Sequence, residues 1–514
     1  MLPLFFIFYN IILEIIHIFA ALIISTKHSN MADYSREEIQ DLISTNVKVV
    51  LKGKDLSKLN LRGEELSDAE LDGSNLNAIN MEKTILINAK LNGVKAIKSN
   101  FNFSDMSYAN LENANFFGSS LGESTLNYAN IRNADFSNGD LHLSDLRHIN
   151  GQGINLTGCN LISCDFSYAN LQGAILKNCD LTNCNFTGAN LTNANFSGSK
   201  IHLVNFKASK LNHCNLQRAK LYLTDFIDFN LKGASFVDTN ISKCKFINTI
   251  LSETDFSKSK IVKSSFDKVG FFKNDSFRGS TLKKISFGGC VFNKTIFNNV
   301  IIYKCNSFDN TYYEAPFKHA NITNAYFSGS KLINACFEGA IIKKVNFMDA
   351  NLTNTSFQDA VLKKMNFSMA IMKNTNLQNI EISDTCMLSA DLSGCDMSHS
   401  LLNKVNFKEA KLKNINFNFA RIIKGCFIKS NMENANFYRC YAEAADFCAS
   451  ECKNANFSNS DLTRANFDMA NITKANFSSA NMTGINLDNA NLSDALISPV
   501  KVNIQPSDRV FSSN

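Results

Sequence analysis

An apolar residue returns at every fifth position of this chain, and few sequence features restrict a fold more tightly. From Phe317 the series runs through Ile322, Phe327, Leu332, Phe337, Ile342 and Phe347, and continues to Phe467, Ile472, Phe477, Met482, Leu487 and Leu492. Between Phe317 and Leu487 every such position is apolar. At the chain's 45% apolar content, chance would give that run on the order of once in 10^12 trials. A small or aliphatic residue stands two places ahead of each, as at Ala320, Ala325, Ala340, Ala350, Ala465, Ala470 and Ala475. A period of five fits neither the 3.6 of a helix nor the 2.0 of a flat strand. It fits a backbone that turns a corner every five residues and points one or two side chains inward from each side. Coils of that kind stack, and their amides pair in parallel ladders about 4.8 Å apart.

Segments such as Ala189-Asn-Leu-Thr-Asn-Ala-Asn-Phe196 and Ala470-Asn-Ile-Thr-Lys-Ala-Asn-Phe477 resemble the pentapeptide-repeat family, whose unit reads A-(D/N)-L-x-x. The resemblance implies an all-β fold: a right-handed quadrilateral parallel β-helix with four units per coil. The central Leu or Phe and the small residue two before it face inward; the other three face water. It spans roughly nine tenths of the chain and is specific for fold, not for function. Asn and Asp suit the corners because they tolerate turn geometry and bond local backbone. In the C-terminal half Phe often alternates with Leu, Ile or Met, so Phe should occupy two opposite sides and stack every twenty residues. About 89 units from Leu56 to Ile497 make roughly 22 coils, a rod of about 100 Å. The chain has no Trp and four Pro, which suits a narrow core and a continuous ladder.

The pattern divides the 514 residues as follows. Residues 1–30 are a hydrophobic N-terminal segment. Leu2 to Ile24 is long enough to cross a bilayer, yet carries Asn10, Glu14 and His17. A membrane anchor, a cleaved signal, or upstream sequence ahead of a true start at Met31 all fit it. Residues 31–52 hold a capping helix and lead-in: Ser35 and Glu38 form a capping box, and Ile39, Leu42 and Ile43 form one apolar face over the first coil. Residues 53–272 are the first run of repeats, with weak units at Ala96 and Gly151 where looser packing is expected. In residues 273–316 the register slips by one near Lys273–Ser276, and a polar unit at Ser307 is followed by Tyr312-Tyr313-Glu-Ala-Pro316; a bulge or longer corner loop is expected there. Residues 317–497 resume the repeat, and 498–514 are a C-terminal tail. Either the tail folds over the last coil or two rods meet end to end as a homodimer, which the family resemblance permits.

Fifteen cysteines invite a disulfide or metal reading. Ten occupy the small inward position: Cys159, Cys164, Cys179, Cys184, Cys214, Cys244, Cys290, Cys305, Cys395 and Cys440. There a free thiol serves as a slightly larger Ala, which points to a reducing compartment and a cytoplasmic chain, or a membrane-anchored one through residues 2–24. Neither the Cys440, Cys448, Cys452 cluster nor the eight scattered His show metal-ligand spacing. No catalytic constellation, cofactor motif or metal site is read.

Charge is uneven. Asp33 to Asn150 holds 17 acidic and 12 basic residues, about −5; Ile241 to Lys304 holds 4 acidic and 12 basic, about +8. Lys243, Lys245, Lys258, Lys260 and Lys263 are the candidate partner-binding residues, with Lys243 and Lys263 stacked on one face. They suit an anionic partner, nucleic acid or a membrane surface, or are simply solvated. The chain is expected to be a non-enzymatic rod that binds an as yet unknown protein. The alternative is a nucleic-acid-associated protein. Some members of the family resemble a DNA duplex and protect type II topoisomerases, but that role needs a strongly acidic rod and this chain is +6.

Overall fold

In a computed structural model, residues 32–45, 48–271 and 275–497 are described. The hydrophobic segment 1–30, the tail 498–514 and, at the slip, Lys273 and Asn274 lie outside them. Two compact units result, Met1–Leu211 and Asn212–Asn514. Each is built from the expected four-sided coils of a parallel β-helix.

Unit 1 opens with helix α1, Arg36–Ser44. The Glu38 amide donates to the Ser35 hydroxyl and the Ser35 amide to the Glu38 carboxylate, which completes the capping box. Of the three apolar residues expected on one face, only Ile39 is buried; Leu42 is 37% exposed and Ile43 half-buried. The helix is held by polar contacts instead, because Arg36 and Gln40 both donate to Glu64 at 2.8 Å. Behind it Leu51, Leu56 and Leu61 are fully buried.

In both units each residue of the ladder pairs with the one twenty positions on, as in Val50↔Glu70, Asp55↔Asn75, Asn60↔Asn80 and Glu65↔Ile85 around one coil. The inward amide donates up the stack, as from Leu61 to the Asn80 carbonyl at 2.7 Å. The small inward residue closes each corner by donating three residues back, as Ala189 does to Phe186 at 3.0 Å. The residue before it takes a left-handed conformation, for example Asn193 at φ 61°. Gly and Asn reach that region at least cost.

The core alternates rows of large and small side chains. Gly151 does not loosen it. Ile149 and Ile154 fill the flanking small positions, and an added Cβ would lie 3.0 Å from Leu171. Cys, Ser and Thr at the small position do more than Ala: the Cys159, Cys179 and Cys184 thiols and the Ser99 and Thr355 hydroxyls each donate to a carbonyl twenty-three residues back. All fifteen thiols are free, and the ten at the small position are buried, as is Cys452.

In unit 2 the Phe rings form the two expected columns. Phe407, Phe427, Phe447 and Phe467 stack at 5.0, 4.8 and 4.5 Å. Phe417, Phe437, Phe457 and Phe477 stack at 4.8, 4.8 and 5.0 Å. The columns meet edge to face, Phe447 to Phe457 at 5.8 Å and 83°, the arrangement ring quadrupoles favour. One residue is skipped at the slip: Ser276 pairs back to Asp255, twenty-one away, and forward to Ile296, twenty away. The bulge expected around Ser307 is absent. Asn306↔Tyr326, Thr311↔Lys331 and Pro316↔Cys336 keep the twenty-residue step. A small Ser307 leaves room for Tyr312, whose ring stacks on Phe292 at 4.6 Å and whose hydroxyl bonds the Ser307 hydroxyl. Asn310 completes this buried network, donating to Ser307 at 2.8 Å and to the Phe287 carbonyl at 3.0 Å and accepting from the Cys290 amide at 2.6 Å. In the last described coil Leu492, Leu496 and Ile497 are 39–53% exposed.

Burial pushes the Cys164, Cys179 and Cys395 thiols up to about 12, and Cys244 and Cys305 to about 11. Native alkylation at pH 8 should therefore label the half-buried Cys336, Cys386, Cys426 and Cys448, and the other eleven only after denaturation. Intact-mass counting checks this, and rapid labelling of Cys159 or Cys179 in folded protein would contradict it. Asn310→Ala strands two buried backbone groups and should cost about 1–3 kcal/mol in urea unfolding; a change below a few tenths would mean the network is not what seats Tyr312.

Candidate cationic face and aromatic column

The sides of unit 2 are not alike. On most, the first outward residue is Asn or Asp, and its side chain accepts the amide two residues on, as Asn346 does from Met348 at 3.0 Å and Asn416 from Asn418 at 3.1 Å. One side places Ile, Val, Leu, Thr, Lys or Arg there at most steps. Without the Asx bond, and with β-branched residues that favour extension, that side forms strands at every step from Lys220 to Ile423, whereas among the described residues the strands that begin on the other sides fall within 226–292. Lys220–Tyr222 opens the row, and the ten that follow it are Asn240–Ser242, Lys260–Val262, Thr281–Lys283, Ile301–Tyr303, Asn321–Thr323, Ile341–Lys343, Val361–Lys363, Glu381–Cys386, Leu401–Asn406 and Arg421–Ile423. All pair parallel and in register.

The corner residue that follows each strand's first three is Lys in eight of ten cases: Lys243, Lys263, Lys284 and Lys304, then Lys344, Lys364, Lys404 and Lys424. Together the first three residues of these ten strands and the corners that follow carry thirteen Lys or Arg against Glu381 and Asp384, a net of +11. Among the ion pairs of the described residues, one involves these thirteen, Lys363 to Glu381 at 2.9 Å. Unit 1 treats charge differently: Glu70 alone takes Lys48, Lys52 and Lys90 within 2.9 Å, and those hydrogen bonds hold its carboxyl far below the usual range.

The five lysines singled out in the sequence fall unequally. Lys243 and Lys263 share the corner column, and Lys260 stands on the strand face. Lys258, at φ 60°, marks the opposite edge of that face. Lys245 lies round the corner and pairs with Asp225 at 3.5 Å. Lys243 donates to the Tyr222 hydroxyl at 2.7 Å and lies 5.0 Å from its ring centroid. Lys243, Lys245, Lys263 and Lys284 line a shallow groove of about 490 Å³ with Ser264, Ser265 and Ser286. This constellation can hold anions; it contains no paired base and nucleophile. Lys343, Lys344, Lys363, Lys364, Lys404, Arg421 and Lys424 were missed by a contiguous charge count. Reading every twentieth residue finds them.

Unit 1 has a different exposed column. Tyr108, Tyr128, His148 and Tyr168 stack at left-handed corners with centroids 5.1, 4.6 and 5.2 Å apart and planes within 8°. The three Tyr are 58, 49 and 61% exposed. Beside it runs an Asn ladder, Asn130 donating to Asn110 at 3.0 Å and Asn150 to Asn130 at 3.1 Å. Among the described residues no cluster of His, Cys, Asp and Glu could hold a metal ion, and no helix is long and apolar enough to cross a membrane.

Solved structures similar to the chain include three pentapeptide-repeat or resistance proteins. HetL, from the cyanobacterium Nostoc sp. strain PCC 7120 and described as involved in heterocyst differentiation regulation, is 21% identical with a TM-score of 0.20. The match covers 48% of this chain and 96% of HetL. Rfr23 from the cyanobacterium Cyanothece 51142 is 27% identical over 22% of this chain and 91% of its own, with a TM-score of 0.21. Full-length QnrB1, a plasmid-mediated fluoroquinolone resistance protein, is 19% identical over 37% of this chain and 92% of its own, with a TM-score of 0.23. No curated protein sequence matches the chain. The pentapeptide-repeat profile matches residues 65–269, 313–384, 389–438 and 443–495, and the chain therefore belongs to the pentapeptide-repeat family.

Proposed function

We propose that this protein is a non-enzymatic scaffold that binds a protein partner through its outward side chains. The observation that carries this reading is the division of the five-residue unit. Two positions per unit are buried in the core, and most of their polar atoms are committed to the stack. Many corner Asn and Asp are committed to local turns. What remains free to vary is the exposed set, on which a solenoid builds its binding surface. The aromatic column of unit 1 is the best-suited protein contact, because Tyr supplies large amphipathic area at low entropic cost and is enriched at interface centres. A duplex-mimicking role would call for acidic faces, and the strand face of unit 2 is +11.

The test is quantitative affinity capture from native lysate with the full chain and with Tyr108→Asn/Tyr128→Asn/Tyr168→Asn. Asn suits these left-handed corners, so the variant should keep its fold. At least one protein is expected to fall by about tenfold or more, the size of a single strong interface contact. A partner set identical for both chains would remove the aromatic column from the reading, and no protein above background with either would overturn the scaffold itself.

A further inference from the structure

The cationic face of unit 2 calls for a ligand of its own, independent of the aromatic column. Its ten strands are about 4.8 Å apart, so the lysine column is about 43 Å long. Eight lysines stand in it at φ 51–57°, a region where Asn and Gly are easier to accommodate. Another corner column of the same unit uses those easier residues, at Asn334, Asn354, Asn374 and Gly394. Charge here is thus placed against local backbone preference, and it is left almost without carboxylate partners.

The residues between the lysines identify the surface they meet. Ile301 and Ile341 are 47 and 42% exposed on the same face, and Val361, Leu401 and Ile423 are half-buried beside them. Against a phosphodiester backbone these aliphatic side chains would gain nothing. The face offers only two aromatic residues, Tyr222 and Tyr303, with three strands between them, and so lacks the row of rings on which bases stack. At the boundary between lipid headgroups and acyl chains the aliphatics are withdrawn from water. The lysine stems lie along the same apolar surface while their ammonium groups reach anionic headgroups. A long face of in-register strands presents its cations together to a plane, whereas a cylindrical duplex meets such a face along a line. We propose that the strand face of unit 2 docks on an anionic lipid bilayer.

The experiment is co-sedimentation of the full chain with vesicles of phosphatidylcholine, with and without phosphatidylserine. Lys284→Asn/Lys304→Asn/Lys344→Asn/Lys364→Asn removes four charges at corners where Asn is at home, so its thermal midpoint should not fall. Lys58→Asn/Lys83→Asn/Lys98→Asn removes charge at left-handed corners of unit 1 and serves as control. The parent and the control are expected to bind phosphatidylserine vesicles at least about tenfold more tightly than neutral ones, with loss at high salt, and the four-lysine variant to lose that preference. The apolar stretch 2–24 would act on both vesicle types alike, so the comparison isolates the face. Equal binding to neutral and anionic vesicles, or anionic binding unchanged by the four substitutions, would overturn the proposal. So would tighter retention of a duplex or single-stranded oligonucleotide that the same substitutions abolish, since nucleic acid would then be the occupant.

Discussion

Everything in this fold depends on the backbone hydrogen bond from each inward residue to the coil above it. A chain that turns every five residues cannot satisfy its amides within one side, and an unpaired buried amide costs about as much as a lost hydrogen bond. The donor at Leu61 therefore reaches the carbonyl of Asn80, and the same step recurs through both units. That requirement fixes the twenty-residue spacing. The spacing in turn fixes which side chains stack. Ring on ring, thiol on carbonyl and Asn on Asn are consequences of one register.

The register also explains how the core absorbs misfits. A solenoid has only a few residues per layer, so a substitution must be compensated by its immediate neighbours. Gly151 is filled by Ile149, Ile154 and Leu171. Ser307 is filled by the Tyr312 hydroxyl, and Asn310 then satisfies the polar atoms this brings inside. Burial alone would make that phenol harder to ionise, and the buried Tyr312 is indeed shifted up. A polar unit in the sequence is thus not a break in the coil when its neighbours change size in step.

This is also where the sequence was and was not legible. The five-residue period gave coil geometry, inward positions, the capping box at Ser35 and the paired Phe columns, because each follows from spacing alone. Tyr312 and Ser307 misled, because each residue violates the inward rule singly and satisfies it jointly. Leu42 misled because a nine-residue helix is anchored here by Arg36 and Gln40 to Glu64 rather than by an apolar face. The cationic face was seen only in part. A count along the chain stops at Lys304, whereas the surface is built down a column, so Lys344, Lys364, Lys404 and Lys424 belong to the same feature despite lying up to 120 residues beyond it.

That column sets a further constraint on the folded state. Neighbouring ammonium groups about 5 Å apart in water repel by roughly 1 kcal/mol before screening, and salt at physiological strength screens over about 8 Å. The eight lysines, in runs of four, two and two broken by Asn324 and Asp384, accumulate that repulsion in the native state, and the unfolded chain spreads the same charges apart. Flexible stems relieve part of it by splaying, and Tyr222 and Tyr303 draw Lys243, Lys283 and Lys304 toward their rings at 5.0–5.6 Å. The remainder is relieved only by counter-ions. A dense anionic surface supplies them at fixed positions and frees those held from solution. The charge that weakens the isolated unit is then the same charge that favours its bound form, and stability and binding on this face are linked through one set of lysines.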